Sequence, residues 1–171
     1  MFTIHTEYNA KNLAVLAKAL RRTLRKKKNK RTHIFGWIVC AVAVLLILDD
    51  FWHDTVMLHT AFTGAAAAIM VLTLLFEDKI NGYIASRRLL PITATGDTTF
   101  EQDDYTSVTP AGQTTWKYEN IVALCESEQY FVFVVGKSHG QLFDKATLQG
   151  GSEQEFRDFI CSRCSCEIVK I

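Results

Sequence analysis

The sequence predicts a membrane α-helical hairpin plus an α+β soluble domain, the latter a small antiparallel β-barrel or sandwich closed by a C-terminal helix. Three observations predict it. Two apolar stretches, 34–48 and 55–76, contain no Asp, Glu, Lys or Arg and are separated by only six residues, DDFWHD. After Pro91 come short segments rich in Thr, Tyr, Val, Phe and Trp, punctuated by Gly, Asp, Ser and Pro. Ser152-Glu-Gln-Glu155 then reads as a capping box, with Phe156, Phe159 and Ile160 following on one helical face.

Charge divides the chain in the same place. Residues 1–90 hold 13 Lys/Arg against 6 Asp/Glu, a balance of +7, whereas residues 91–171 hold 6 against 12, a balance of −6. Such a split predicts a basic membrane-facing half and an acidic soluble half. The five cysteines are odd in number and one lies in an apolar stretch, which argues against a disulfide framework and for free thiols in a reducing compartment.

Residues 1–31 read as a basic amphipathic juxtamembrane helix. Leu13, Leu16, Ala17, Leu20 and Leu24 recur at helical spacing, and Asn9 is a suitable cap. Between 21 and 31 stand eight cations: Arg21, Arg22, Arg25, Lys26, Lys27, Lys28, Lys30 and Arg31. Next to a membrane they are expected at the lipid surface, each contributing about 1 kcal/mol with anionic headgroups. Their plainer role is to fix topology. Nucleic-acid binding is disfavoured, because no stacking aromatics are interleaved with the charges.

Residues 32–76 form the predicted hairpin. A helix needs about 20 residues to cross the hydrocarbon core. The second stretch meets this outright, and the first does so by including Thr32 and His33 while Arg31 snorkels. The positive-inside rule places both termini in the cytoplasm, since the link carries Asp49, Asp50 and Asp54 and no cation. The expected location is the plasma membrane. Small residues at four-residue spacing, Gly36 and Cys40 on one helix and Thr60, Gly64 and Ala68 on the other, are the expected pairing faces.

Residues 77–90 are a connector and 91–171 the cytoplasmic domain. Strands are expected at 98–101, 105–109, 114–118, 121–126, 130–135 and 141–144, followed by the capped helix. The central YFVFVV is apolar throughout, so its strand is expected to be buried on both faces.

The two apolar helices, TTFEQDDYTSV, TTWKYENIVALCESEQYFVFV and LFDKATLQGGSEQEFRDFI together resemble the YcxB-like family of bacterial membrane proteins, over nearly the full length. The resemblance rests on Trp116 leading into residues 119–121, the strand at 130–135, Lys145 after the last strand and the helix at 156–159. It implies a PH-like fold for residues 91–171. The family commonly has Pro-Lys where this chain has Asp144-Lys145. It supplies no activity to carry over. Phosphoinositide binding is disfavoured: Asp97, Glu101, Asp103 and Asp104 occupy the first hairpin, where a phosphate pocket needs cations.

Catalytic motifs are absent, so no enzyme and no cofactor are expected. Cys161, Cys164 and Cys166, with Cys125 as a fourth ligand, are the weak candidates for a zinc site; free thiols are the favoured reading. Asp49, Asp50, His53, Asp54 and His59 read as a solvated acidic link before they read as a divalent-ion site. The expected function is a non-enzymatic membrane-anchored module that presents its domain to a protein partner or to another copy of itself. The alternatives are a regulatory or immunity protein acting through the hairpin, or a subunit of a small oligomeric transporter or channel.

Overall fold

The computed structural model describes all residues except 54–56, 137–138 and 165. Strand β1 (Phe2–Glu7) opens the chain, with Phe2, Ile4 and Thr6 buried and the residues between them more exposed. Its partner is far away in sequence. β2 (Thr95–Phe100) pairs antiparallel with it, Phe2 opposite Phe100 and Glu7 opposite Thr95. Helices α1 (Ala10–Arg22), α2 (Lys26–Trp52), α3 (Leu58–Leu75) and α4 (Glu77–Arg88) all lie between these two neighbouring strands. β3 (Asp104–Thr109) and β4 (Gly112–Lys117) complete a sheet of order β1–β2–β3–β4.

The second sheet is built from β5 (Ala123–Glu126), β6 (Tyr130–Val134), β7 (Gly140–Asp144) and β8 (Ile168–Lys170), in the order β7–β6–β5–β8. β8 runs parallel to β5 and returns to it through helix α5 (Glu153–Arg163). The capping box predicted at Ser152 and Glu155 is present. So is a cap at Asn9, whose side chain accepts from the Lys11 and Asn12 amides.

Aromatic side chains from both sheets and α5 make one core. The Phe100 ring lies 5.1 Å from Phe143, 5.9 Å from Phe133 and 4.8 Å from Phe156, all edge-on, an arrangement the ring quadrupoles favour. α5 therefore closes the space between the sheets with Phe156 and Ile160, as the sequence predicts. β6 alternates inside this frame. Phe131 and Phe133 face the aromatic core, while Val132 and Val134 join Cys125 and Leu142 beneath Ala19 and Leu20 of α1. YFVFVV is thus buried on both faces because a sheet covers one and a helix the other.

Several expectations need correction. The fold is α+β, but the two sheets remain open, so the described residues form no closed barrel. β1 and β8 were not foreseen. The boundary at residue 91 leaves β1 outside the sheet it completes, and residues 1–31 are not only a juxtamembrane helix. The apolar stripe of α1 is covered by protein: an amphipathic stripe buries itself against whatever apolar face is nearest, and here that is the outer face of the second sheet. The connector 77–90 is mostly the helix α4, antiparallel to α1. Asp49 and Asp50 belong to α2 and not to a link, while Asp54 lies outside the described residues.

Candidate functional site

α2 and α3 are long and apolar enough to cross a membrane, with mean hydropathy 2.3 and 1.8 in their most apolar windows. Their large side chains face away from the protein. Phe35, Leu45, Leu46, Phe62 and Ile69 are each more than half exposed. The most buried positions in the seam between them are small or polar, the arrangement expected where lipid already satisfies leucine. A Cβ added at Gly36 would lie 2.9 Å from a Leu74 methyl group, and one at Gly64 would lie 3.8 Å from Ile47. Gly36, Cys40 and Thr60 are buried in this seam.

Of the expected pairing residues, Ala68 is the exception: it is exposed. The partly covered positions of α3 are Thr63, Gly64, Ala67, Met70, Val71 and Leu74. Two steps of four residues rotate about 800° around a 3.6-residue helix, some 80° past two full turns, which swings Ala68 out of the seam. Alternating steps of three and four keep the seam facing its partner.

Polar groups close the seam at both ends. At the link end, Thr60 donates its hydroxyl to Asp50 at 2.5 Å, and His59 Nε2 stands 3.1 Å from the same carboxylate. Asp49 and His53 pair separately at the exposed end of α2, 3.3 Å apart. At the opposite end, His33 Nε2 lies 2.7 Å from Glu77, and the Asn29 amide, oriented to donate, reaches Glu77 at 3.0 Å.

The basic residues do not act as one group. Arg21 is taken up by a two-pronged contact with Asp78, Nε to Oδ1 at 2.7 Å and Nη2 to Oδ2 at 2.5 Å. This pair ties the end of α1 to the start of α4, so Arg21 is a fold residue where the sequence suggested a lipid contact. Arg22, Arg25, Lys26, Lys27, Lys28, Lys30 and Arg31 are exposed, forming a collar at the end of the apolar pair opposite Asp50.

Two of the cysteines touch: Cys164 and Cys166 share a side-chain hydrogen bond, and Cys166 packs against the aromatic core. Cys161 is exposed, Cys164 faces the aromatic core, and Cys125 faces α1. Burial pushes the Cys125 thiol up to about 11 and the Cys164 thiol up to about 12. Among the described residues, no three His, Cys, Asp or Glu side chains gather where they would hold a metal ion.

Sequence reasoning missed a charged cluster under α5. Glu126 is buried and receives Lys145 Nζ at 2.6 Å, with Arg157 Nη2 at 2.5 Å and Nε at 3.0 Å. Lys145 also reaches Glu153 at 3.2 Å and lies over the Phe131 ring. Hydrogen bonds from Arg157 and Lys145 hold the Glu126 carboxyl down at about 2. The partners lie 19 and 31 residues from Glu126. The one sequence signal was Lys145 itself, singled out by the family resemblance.

No family model matches the chain, and neither the curated proteins nor the solved structures contain a match to it.

Proposed function

We propose that this protein is a non-enzymatic, membrane-anchored module that holds an α+β domain at the cytoplasmic face of the plasma membrane for contact with a protein partner or a second copy. The observation that carries this reading is the place of the apolar helix pair: it is inserted between β1 and β2 of one sheet. Both ends of the insertion return to the same domain, so the anchor cannot swing freely on a single tether. The exposed cations at 22–31 stand at the domain end of the apolar pair, and Asp49 and Asp50 at the other, which supports a cytoplasmic domain.

A PH-like fold is consistent with the order of elements: four antiparallel strands, three more, then a helix closing the core. Membership of the YcxB-like family is part of the same proposal. Among the described residues, β4 ends the first sheet with an unpaired edge and mostly exposed side chains, a suitable place for strand addition by a partner or a second copy.

Two measurements test this. An impermeant thiol reagent should label a cysteine at Phe51 in intact cells and one at Glu119 only after permeabilisation. A photo-crosslinking residue at Thr115 should give a discrete protein adduct in cells, whereas one at Asp97 should not. External labelling at position 119, or no adduct from any β4 position, would overturn the proposal.

A second reading, action through the hairpin itself, is favoured by one observation. Asp50 sits in the seam between membrane-length helices, where an ionisable side chain is by default a functional hypothesis. If the hairpin is the active part, Asp50→Asn abolishes the cellular effect while β4 substitutions leave it intact.

A further inference from the structure

Helix α4 turns an apolar side outward. At about 100° per residue, Ile80, Tyr83, Ile84 and Arg87 fall on one side of it, with Phe76 in line at the junction with α3. The opposite side faces α1: Asp78 binds Arg21, and an added Cβ at Gly82 would strike the α1 backbone. α4 packs chiefly on α1, so its outer side is left open. Tyr83 is 53% exposed, Ile84 42% and Ile80 38%. A helix whose outer side meets only water shows the reverse pattern, with polar residues outward. A contiguous exposed stripe of this kind marks a contact surface.

The charge around the stripe has one sign. Lys79 and Arg88 are exposed on its two flanks. Lys79 Nζ lies 5.2 Å from the Phe76 ring, and the Arg87 guanidinium lies 5.2 Å from the Tyr83 ring while donating to its hydroxyl from Nε at 3.0 Å and Nη2 at 2.9 Å. His33 of α2 meets Glu77 of α4, so residues 26–31 of α2 run alongside the first turns of α4. Lys26, Lys27, Lys28, Lys30 and Arg31 are exposed there. Residues 21–34 contain no Asp or Glu. The acids at this level on α4, Glu77 and Asp78, are taken up by His33, Asn29 and Arg21.

Resting on the membrane-anchored reading above, we propose that the outward side of α4, with the cations at 26–31, docks on anionic phospholipid headgroups. Position supports this occupant. The 18 residues of α3 are about 27 Å long, close to the roughly 30 Å hydrocarbon core, which puts Phe76 at the core boundary. The polar layer beyond is about 5–8 Å thick, and Ile80 stands about 6 Å past Phe76. Helical side chains lean toward the helix N-terminus, which in α4 is the membrane end, so Tyr83 and Ile84 reach back into the same layer. Lys79 over Phe76 and Arg87 over Tyr83 lean the same way. The stripe also continues the outward surface of α3, where Leu72 and Leu75 are exposed. An aromatic and apolar stripe flanked by cations suits a layer that is part hydrocarbon and part phosphate.

The test uses the full chain in bilayers of equal parts phosphatidylcholine and phosphatidylglycerol. A benzophenone amino acid replaces Ile80 or, in a second chain, Ile84; a third chain carries it at Leu45, on the outward side of α2. Lipid adducts are identified by mass spectrometry. Positions 80 and 84 should capture phosphatidylglycerol over phosphatidylcholine by about fivefold, the gain from one cation at an anionic surface. Position 45 should capture the two lipids equally. Lys79→Gln with Arg87→Gln should cut the enrichment at 80 and 84 to about twofold or less. Lipid adducts at 45 with none at 80 and 84 would overturn the proposal and leave the anchor standing. Adducts at 80 and 84 without preference, or a preference that the double variant leaves intact, would do the same. No lipid adduct even at 45 would overturn the anchor as well. A discrete protein adduct from position 84 in cells, in place of lipid, would assign this side to an acidic partner and overturn the proposal too.

Discussion

The α1–α4 pair and the α2–α3 pair are both antiparallel and lie end to end, yet α1 turns the opposite side outward from α2 and α3. α1 directs Ala19 and Leu20 inward onto the second sheet and leaves Lys11 and Arg22 exposed. α2 and α3 direct Gly36, Cys40 and Thr60 inward and leave Phe35, Leu45 and Phe62 exposed. The change occurs over residues 23–25 on one side and at Phe76 on the other, where α3 ends and α4 begins. With α2 and α3 in a membrane, as proposed, the same hairpin geometry serves two environments. Water forces the apolar side of a pair against protein, while a lipid environment lets it face out and leaves close backbone approach and polar contacts to hold the pair together.

The two pairs also use glycine differently. At Gly82, an added Cβ would lie 2.5 Å from the Ala14 amide nitrogen and 2.6 Å from the Ala10 carbonyl oxygen. Those are backbone atoms of α1 and cannot turn aside. At Gly36 the obstacle is the end of the Leu74 side chain, which can. Among the described residues of the two pairs, only α1 and α4 cross at a contact that requires glycine.

The largest single-residue effect is expected in the α+β body. Glu126→Ala leaves Lys145, whose side chain is only 7% exposed, with Glu153 as its remaining counter-charge. Thermal melts should show a loss of about 3 kcal/mol, toward the low end for a broken buried pair. The pH dependence has a definite sign. The Glu126 carboxyl is held at about 2, against an ordinary value of 4.5. Its contribution, on the order of 3 kcal/mol, is fully present above about pH 4.5 and is lost as pH falls toward 2. Glu126→Gln should flatten that limb of the stability profile.

The next effect divides the two helix pairs. Gly82→Ala should destabilise by about 1–3 kcal/mol, because the steric clash outweighs the roughly 1 kcal/mol that alanine gains over glycine in a helix. Gly36→Ala should change stability by less than about 1 kcal/mol, since Leu74 rotates away and helix propensity offsets the adjustment. Equal effects at the two positions would erase the distinction between the pairs.

Much of this architecture was legible where the signal is local. Six of the eight strands, the caps at Asn9 and Ser152 and the two-faced burial of β6 all follow from residues close together in sequence. What was missed depends on distant partners. Phe2-Thr-Ile-His-Thr-Glu alternates correctly for a strand, but its neighbour begins at Thr95, and no short window encodes that pairing. The α1 leucines read as an amphipathic helix, yet such a stripe looks the same whether it meets a sheet or a lipid surface. Gly82 gave no sign of its crossing with α1. In the hairpin, the four-residue spacing found Gly36, Cys40 and Thr60 but misplaced Ala68, because 4.0 overshoots the helical repeat. Thr98, Ser107 and Thr114 sit on predicted strands, but only the pairing register gathers them onto one face.

The central claim is that the apolar pair is an insertion in one folded domain, and excision tests it most directly. Arg21 and Asp78 are in contact, so a short linker can replace residues 23–76 and join 1–22 to 77–171. That chain should be soluble and melt cooperatively. Residues 91–171 alone lack β1, which places Phe2 and Ile4 in the aromatic core, and lack α1, which covers Val132, Val134 and Leu142. That fragment should show no cooperative melt. A fragment 91–171 that melts cooperatively, at the same temperature as the joined chain, would contradict the account.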